Sequence, residues 1–454
     1  MKFNFQWILF FIGTLLLTMS IVGGNSLDKQ ELNRLIGIDQ TVIRVKGSPA
    51  NDEIFFNLKD MESLYDQKIT FTALLTTEID SKLVCVIGTN SEYSDFEHLQ
   101  FSSGCFFDKT AEASADKVVI IDEHLAWNVF GNLNAVGNTL EIFNRKFRVV
   151  GVTASEKSIV GLLSGSGTAN AFIPYSTLLE VQKNGRINSV QIRNNDTGLT
   201  GQNHTDALNV LGKLGKNPDD YYISDFNIKG ALIAQKPRIL AFAAGLAVII
   251  VLFRFFMRRG QEVYIYVSKE CKTDYFNNVL KDNKAILLQN LFIILSLILA
   301  MALFGMNIRF DIYIPPEYLP KQLIDLEFYL DLIKKGVSES YLNQGYMAPV
   351  AEIRSGSVLL LSNCLFYTGL LIGFPLVWIS LELSNWDDGI PLWYTLFVLG
   401  CTYIGSIGLC TVTLLLSGIS PNLNIKDLAI VFSFIYIYAI QYSVEEKKGE
   451  RCEK

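Results

Sequence analysis

The chain has 454 residues, is 50% hydrophobic and only 19% charged, and carries a formal net charge of -6. That apolar content points to a membrane protein, and an acidic balance with no basic stripe to track phosphates excludes a nucleic-acid binder. The 7 cysteines form no Cys-x-x-Cys pair, and His98, His124 and His204 lie far apart, so neither a metal site nor a cofactor is expected in this chain.

Six apolar segments approach the roughly 20 residues that a helix needs to cross a hydrocarbon core: 7–22, 239–257, 285–306, 358–381, 391–416 and 428–444. Lys2 and the small, polar Gly23-Gly24-Asn25-Ser26 also fit a cleaved signal peptide around the first segment. Without a clean A-x-A-like site, a retained anchor is the expectation. Positive charge sets the orientation. Arg254, Arg258, Arg259, Lys269, Lys272, Lys281 and Lys284 follow the second span, and Lys447, Lys448, Arg451 and Lys454 form the tail, so both stretches belong in the cytoplasm. The loop from Arg309 to Ser355 is richer in acids than in bases and belongs outside. Both termini then lie inside and the large insert between the first two spans lies outside. The loop from Glu382 to Gly389, nominally cytoplasmic, has acids and no base, which makes it the weakest step in this topology.

No span holds Asp, Glu, Lys or His in its middle, so a proton-coupled carrier is disfavoured. Arg254 can snorkel from a span end, and Gln289 and Asn290 suit bridges between helices. Gly369-x-x-x-Gly373 in the fourth span allows close helix packing, as do Gly400, Gly405 and Gly408 in the fifth, and Pro375 is expected to kink the fourth.

The insert reads as α+β. Strands are expected at 68–77, 82–89, 117–123 and 187–193, where short β-branched or aromatic runs are bounded by turn residues. Helices are expected at 123–130, 175–183 and 205–214. A turn at Asn144-Arg145-Lys146 joins "TLEIF" to "FRVVGV" as a hairpin. Cys85 and Cys105 both fall here, either as a disulfide in an oxidising compartment or as free thiols. Asp122-Glu123-His124 is the one tempting catalytic cluster, but acids at a helix start are ordinary dipole partners. The loop "GLLSGSGTAN" (161–170) lacks the strand-to-helix context and the Lys of a phosphate cradle.

Within "VVIIDEHLAWNVFGNLNAVGNTLEIFNRKFRVVGV" and the later "AFIPYSTL", the pairs Phe130-Gly131, Val136-Gly137 and Thr139-Leu140, then Val149 to Val152 with Gly151, then Ile173-Pro174, fall in a characteristic order. This pattern resembles the periplasmic core domain of MacB-type ABC transporter permeases, joined to an FtsX-like membrane region. Gly131 suits a left-handed helix cap, Gly137 a turn into the hairpin, and Pro174 a helix's first turn. The resemblance covers roughly residues 1–310 and weakens after 235. The family usually has four spans, whereas six are counted here.

The resemblance implies a polytopic α-helical membrane protein with an α+β extracytoplasmic domain inserted between the first and second transmembrane helices. Its parts are an anchor helix (1–24), the core domain (25–235), a second span (236–257), a cytoplasmic coupling segment (258–284), a third span (285–307), an outer loop (308–356), three spans (357–445) and a tail (446–454). The sequence contains no P-loop: Gly212-Lys213 and Gly215-Lys216 lack the following Ser/Thr, and "LTGQ" (199–202) falls in the insert. ATP is therefore expected on a separate cytoplasmic ABC ATPase, not on this chain. The coupling segment presents Tyr264, Val267, Cys271 and Tyr275 at helical spacing for that partner; resting on lipid headgroups is the other reading. A homodimer or heterodimer of permeases in the plasma membrane is implied. The functions in view are a permease for export or release of a substrate, and an FtsX-like scaffold that activates an outer partner such as a cell-wall hydrolase.

Overall fold

The computed structural model describes residues 5–28, 39–46, 52–64, 67–164, 168–183, 185–193, 202–272, 275, 283–315, 318–320, 325–332, 334, 349–383 and 392–453, with side chains to 441 in the last stretch. Most of the expected outer loop, the turn between the fourth and fifth spans, and all of "LTGQ" but Gln202 lie outside the described residues.

After helix α1 (Phe5–Ser26), the chain enters an α+β lobe with ten strands: β1 (Gln40–Val45), β2 (Lys68–Ile79), β3 (Lys82–Thr89), β4 (Phe101–Gly104), β5 (Val118–Asp122), β6 (Thr139–Ile142), β7 (Arg145–Thr153), β8 (Ala169–Pro174), β9 (Ser189–Arg193) and β10 (Tyr221–Asp225). They form one sheet in the order β10-β1-β9-β2-β3-β8-β5-β7-β4, with β6 paired to β7. The β10 to β3 half is antiparallel, whereas β3 with β8 and β5 with β7 run parallel. One sheet face buries Ile43, Phe71, Val86, Ile121, Val149 and Ile173 in the main core of the lobe. Since side chains alternate along a strand, Gln40, Val42 and Arg44 of β1 point the other way. Val42 joins the core of the helical bundle rather than that of the lobe.

Local chemistry explains the lobe's helices. Asp122 ends β5 and caps α2 (Glu123–Phe130), its Oδ1 accepting from the Leu125 N–H at 2.7 Å while Oδ2 accepts from Asn170 N–H at 2.7 Å. Gly131 ends that helix at φ 64°, in the left-handed region that costs glycine least. Glu123 is held by Ser102 and the Ser155 N–H. The acidic cluster is thereby fully engaged in shaping a strand-to-helix turn. Gly137 (φ 91°) bonds Val149 as the chain enters the hairpin. The hairpin turn itself is Phe143-Asn144, both at positive φ, with Ile142 paired to Arg145. The expected Asn144-Arg145-Lys146 turn is thus displaced by one residue, because the register that buries Leu140 and Ile142 against Phe147 and Val149 outweighs local turn preference. Pro174 ends β8 and occupies the N-cap of α3 (Tyr175–Val181), one position ahead of the first turn.

The helices that build the bundle with α1 are α4 (Phe226–Glu270), α5 (Lys284–Asn307), α6 (Val350–Glu382), α7 (Leu392–Leu416) and α8 (Ile425–Glu453). Among the described residues, α1, α4, α5, α6 and α7 are long and apolar enough to cross a membrane. The sixth expected span lies within α8, where Val431, Phe434, Ile435 and Ala439 are buried against the bundle. Helix α1 packs at the centre of this bundle, with Leu17, Ile21 and Val22 fully buried; its removal would leave the core open. Gly369 and Gly373 face α1, where a Cβ on Gly373 would stand 3.0 Å from the Leu17 nitrogen. The disturbance expected at Pro375 takes the form of a π-helical turn over Gly369–Gly373. Gly400 meets Tyr436 of α8, whereas Gly405 and Gly408 face open space. Helix α5 buries none of its residues and lies at the periphery.

Cys85 and Cys105 are free thiols. Cys85 sits inside β3 and Cys105 just past β4, with β8, β5 and β7 between the two strands. At about 4.8 Å per strand, that separation far exceeds the reach of a disulfide. The disulfide option is therefore corrected: burial pushes the Cys85 thiol up to about 12, making it inert.

Candidate functional site: the junction of lobe and bundle

Two helices enter the bundle from the lobe, and each is fixed to the sheet by side chains that sequence reading did not single out. Strand β10 passes into α4 without a loop. Asp225 closes the strand opposite Thr41 and caps the helix, its Oδ1 accepting from the Asn227 N–H at 2.8 Å and the Ile228 N–H at 3.4 Å. Its carboxyl is held above the usual range by burial, against those two backbone bonds.

Helix α6 has no covalent joint to the sheet, so charge does the work. Arg44, 6% exposed and next to last in β1, donates from Nε to Glu352 Oε2 at 2.8 Å and from Nη2 to Oε1 at 2.9 Å. This bidentate fork is the strongest geometry open to a guanidinium and a carboxylate. Its plane is backed by Tyr222, the cross-strand partner on β10, with the ring centroid 4.4 Å from Cζ. Glu352 lies in the first turn of α6, where the helix dipole also favours an acid.

Glu97, fully buried, makes the second attachment: Oε1 accepts from Gln191 Nε2 at 2.8 Å and from the Ala351 N–H at 3.4 Å. Its backbone carbonyl accepts from Arg354 Nη1 at 3.3 Å, and Arg354 also lies 3.9 Å from Glu156. Below this collar a polar seam runs between α4 and α6. Lys229 Nζ donates to Ser355 Oγ at 3.0 Å, and one heptad on, Lys236 Nζ donates to Ser362 Oγ at 3.3 Å. A third contact ties Ile159 N–H to the Ser417 carbonyl at the end of α7.

Burial holds the Glu97 carboxyl above the usual carboxylate range, while the Arg354 charge pulls it down. Its folded value exceeds the roughly 4.3 of an unfolded glutamate. Its contribution is therefore fully present below that pH and is lost as pH rises through the folded value. Glu97→Gln is expected to remove this dependence, so that the variant's melting temperature gains on the wild type's as pH rises above about 4.3. Parallel melting curves across that range would count against a titrating Glu97.

The expected coupling residues lie at the far end of α4. Tyr264, 74% exposed, Val267 and Cys271 share one face, and Tyr275 lies beyond the helix end, also exposed. Residues 258–270 are not a separate helix but the last turns of α4. Tyr266 Oη donates to Asn283 Oδ1 at 2.9 Å, bringing that end beside the start of α5. The strand signal in "QTVIRV" was too short to stand out from sequence, although an Arg in phase with Val42 was a visible anomaly; "YSDFEHL" carried no comparable sign for Glu97.

A folded α+β lobe toward the N-terminus, with several apolar helices long enough to span a bilayer, defines a multi-pass membrane protein. The family model described as MacB-like periplasmic core domain matches residues 11–205. A macrolide export ATP-binding/permease protein MacB of Aggregatibacter actinomycetemcomitans is 25% identical over 185 residues, 38% of this chain and 28% of that protein. MacB of Shewanella sp. (strain W3-18-1) is 24% identical over 175 residues, 36% of this chain and 26% of that one. The matched stretch thus spans little more than a quarter of these relatives, 28% and 26%. Among solved structures, the periplasmic region of MacB from Actinobacillus actinomycetemcomitans covers 44% of this chain and 95% of that one, at 23% identity and a TM-score of 0.35. The resemblance to MacB-type permeases drawn from the motif order is borne out by the family match and the MacB relatives.

Proposed function

We propose that this chain is the permease subunit of an ABC-type system in the plasma membrane, coupling a separate cytoplasmic ATPase to movement of the lobe outside. The observation that carries this reading is the unbroken joint between β10 and α4. A 45-residue helix capped by the strand's own last residue is about 68 Å long at 1.5 Å per residue. That is more than twice the roughly 30 Å of a hydrocarbon core, so one rigid element reaches from the sheet edge past the opposite membrane face. The lysines and arginines after its midpoint favour placing that end in the cytoplasm. Relatives named for macrolide export make export, or release of a ligand held by the lobe, the transport reading. Two copies of the chain, side by side, complete the proposed assembly.

The exposed end of α4 is the proposed ATPase contact. Tyr264→Ala, Val267→Asp and Tyr275→Ala together should reduce co-purification of the ATPase with the full chain at least tenfold. Because these side chains are largely solvent-facing, the lobe's melting transition should not move. Undiminished co-purification would remove this end of α4 from the account.

A further inference from the structure

A cavity of about 370 Å³ opens at the lobe-proximal end of the bundle, between α4, the end of α5 and the start of α8. Its rim carries Arg238, Arg309 and Lys426, all exposed. None of the three has an ion-pair partner within 4 Å among the described residues. Two carboxylates share the cavity. That of Asp427 is already committed, with Oδ2 accepting from Asn424 Nδ2 at 2.8 Å and from Asn25 Nδ2 of α1 at 3.3 Å. Asp311 is exposed on the rim. The three cations outnumber the two acids, and the buried Asp427 ties α1 to α8 while lying within the field of Arg238 and Lys426.

The walls are apolar. Phe242, Ile308 and Ile430 line the cavity, and from Phe242 an exposed stripe continues away from the lobe along α4 through Leu246, Ile250 and Phe253. Spacings of four, four and three residues keep these side chains on one helix face. Beside them, α5 packs Leu297, Met301 and Phe304 on the bundle and leaves Leu288, Phe292, Leu295 and Leu299 exposed. A cationic mouth above an apolar stripe has the polarity of an amphiphile with an anionic head. Guanidinium forks match phosphate oxygens.

We propose that this cavity binds the phosphate headgroup of a membrane amphiphile, with Arg238 and Arg309 engaging the phosphate and the acyl chains lying along the Phe242–Phe253 stripe. The inference rests on the bundle's being membrane-embedded and is independent of any ATPase. The test is native mass spectrometry of the full chain in nonionic detergent, titrated separately with dioleoylphosphatidylglycerol, dioleoylglycerol and sodium phosphate. Dioleoylphosphatidylglycerol should be retained at least tenfold better than dioleoylglycerol. Arg238→Gln combined with Arg309→Gln should erase that preference, and Lys426→Gln should weaken it severalfold. All three side chains are exposed, so the variants should elute as the wild type does. Equal retention of the two lipids, or retention unaffected by the substitutions, would overturn the proposal. Displacement of the lipid by millimolar sodium phosphate would assign the cavity to free phosphate and overturn the amphiphile. Lost lipid preference with intact ATPase association would sink this inference alone; the converse would sink only the transporter reading.

Discussion

Arg44→Met in the full chain is expected to weaken the attachment of α6 to the lobe by about 3 kcal/mol or more, the usual cost of stranding one partner of a buried ion pair. Glu352 would be left with its carboxylate largely buried and no guanidinium opposite, since Nε and Nη2 of Arg44 supply both forks at 2.8 and 2.9 Å. Denaturant titration of wild type, Arg44→Met, Glu352→Leu and the double variant would measure it. The double variant should recover much of the loss, because an apolar pair of similar volume avoids the desolvation of two charges, giving a coupling energy of about 1 to 3 kcal/mol. Arg44→Lys should fall between, as an ammonium cannot fork across both carboxylate oxygens or stack on Tyr222. Additive single effects would mean that the pair does not hold the junction.

Met257→Pro is the second large effect. Proline removes the bond from residue 257 to the carbonyl of Phe253 and clashes with it, at about 3 kcal/mol or more. Met257 is 46% exposed, so the damage falls on the helix rather than on packing. The expected result is a lobe that still folds but no longer follows the far end of α4. Under the proposed coupling to a separate ATPase, a fluorophore on exposed Cys105, with the other cysteines replaced by serine, should lose the ATP-dependent change that this coupling predicts. Met257→Ala should keep that change and alter stability by only about 0.5 kcal/mol. An intact signal in the proline variant would separate lobe motion from α4. The native Pro237 is no counterexample, since it is buried at the lobe-proximal end against Gly24, where a Cβ would come within 2.6 Å of the proline ring.

How much of this was legible beforehand follows the range of the interactions involved. Helix α2 was expected at 123–130 and spans Glu123–Phe130, because its cap Asp122 and its terminator Gly131 act within a few residues. Strands β2 and β3 were visible as β-branched runs, and the spans as apolar stretches of membrane length. Strands β1, β4 and β10 were not anticipated. They are short, and β10 and β4 form the ends of the strand order, where what makes a strand is the neighbour it pairs with rather than its own composition. The shifted hairpin turn has the same origin, with a core register overruling a local preference. The division of 258–270 from the second span followed the onset of charge, yet charged residues are good helix formers and nothing there ends the helix.

By itself, then, the sequence determined the class of chain: apolar runs of the right length, a basic bias beside two of them, and the glycines, caps and turn residues of a MacB-like lobe, all set by forces acting over a few residues. Tertiary structure alone decided how lobe and bundle join. Arg44 and Glu352 are 308 positions apart and Glu97 and Ala351 are 254 apart, and no periodicity or composition signals a pair at such a distance. The cavity rimmed by Arg238, Arg309 and Lys426 likewise exists only because three helices converge there. Charges scattered along a chain become a site only once folding fixes their distances.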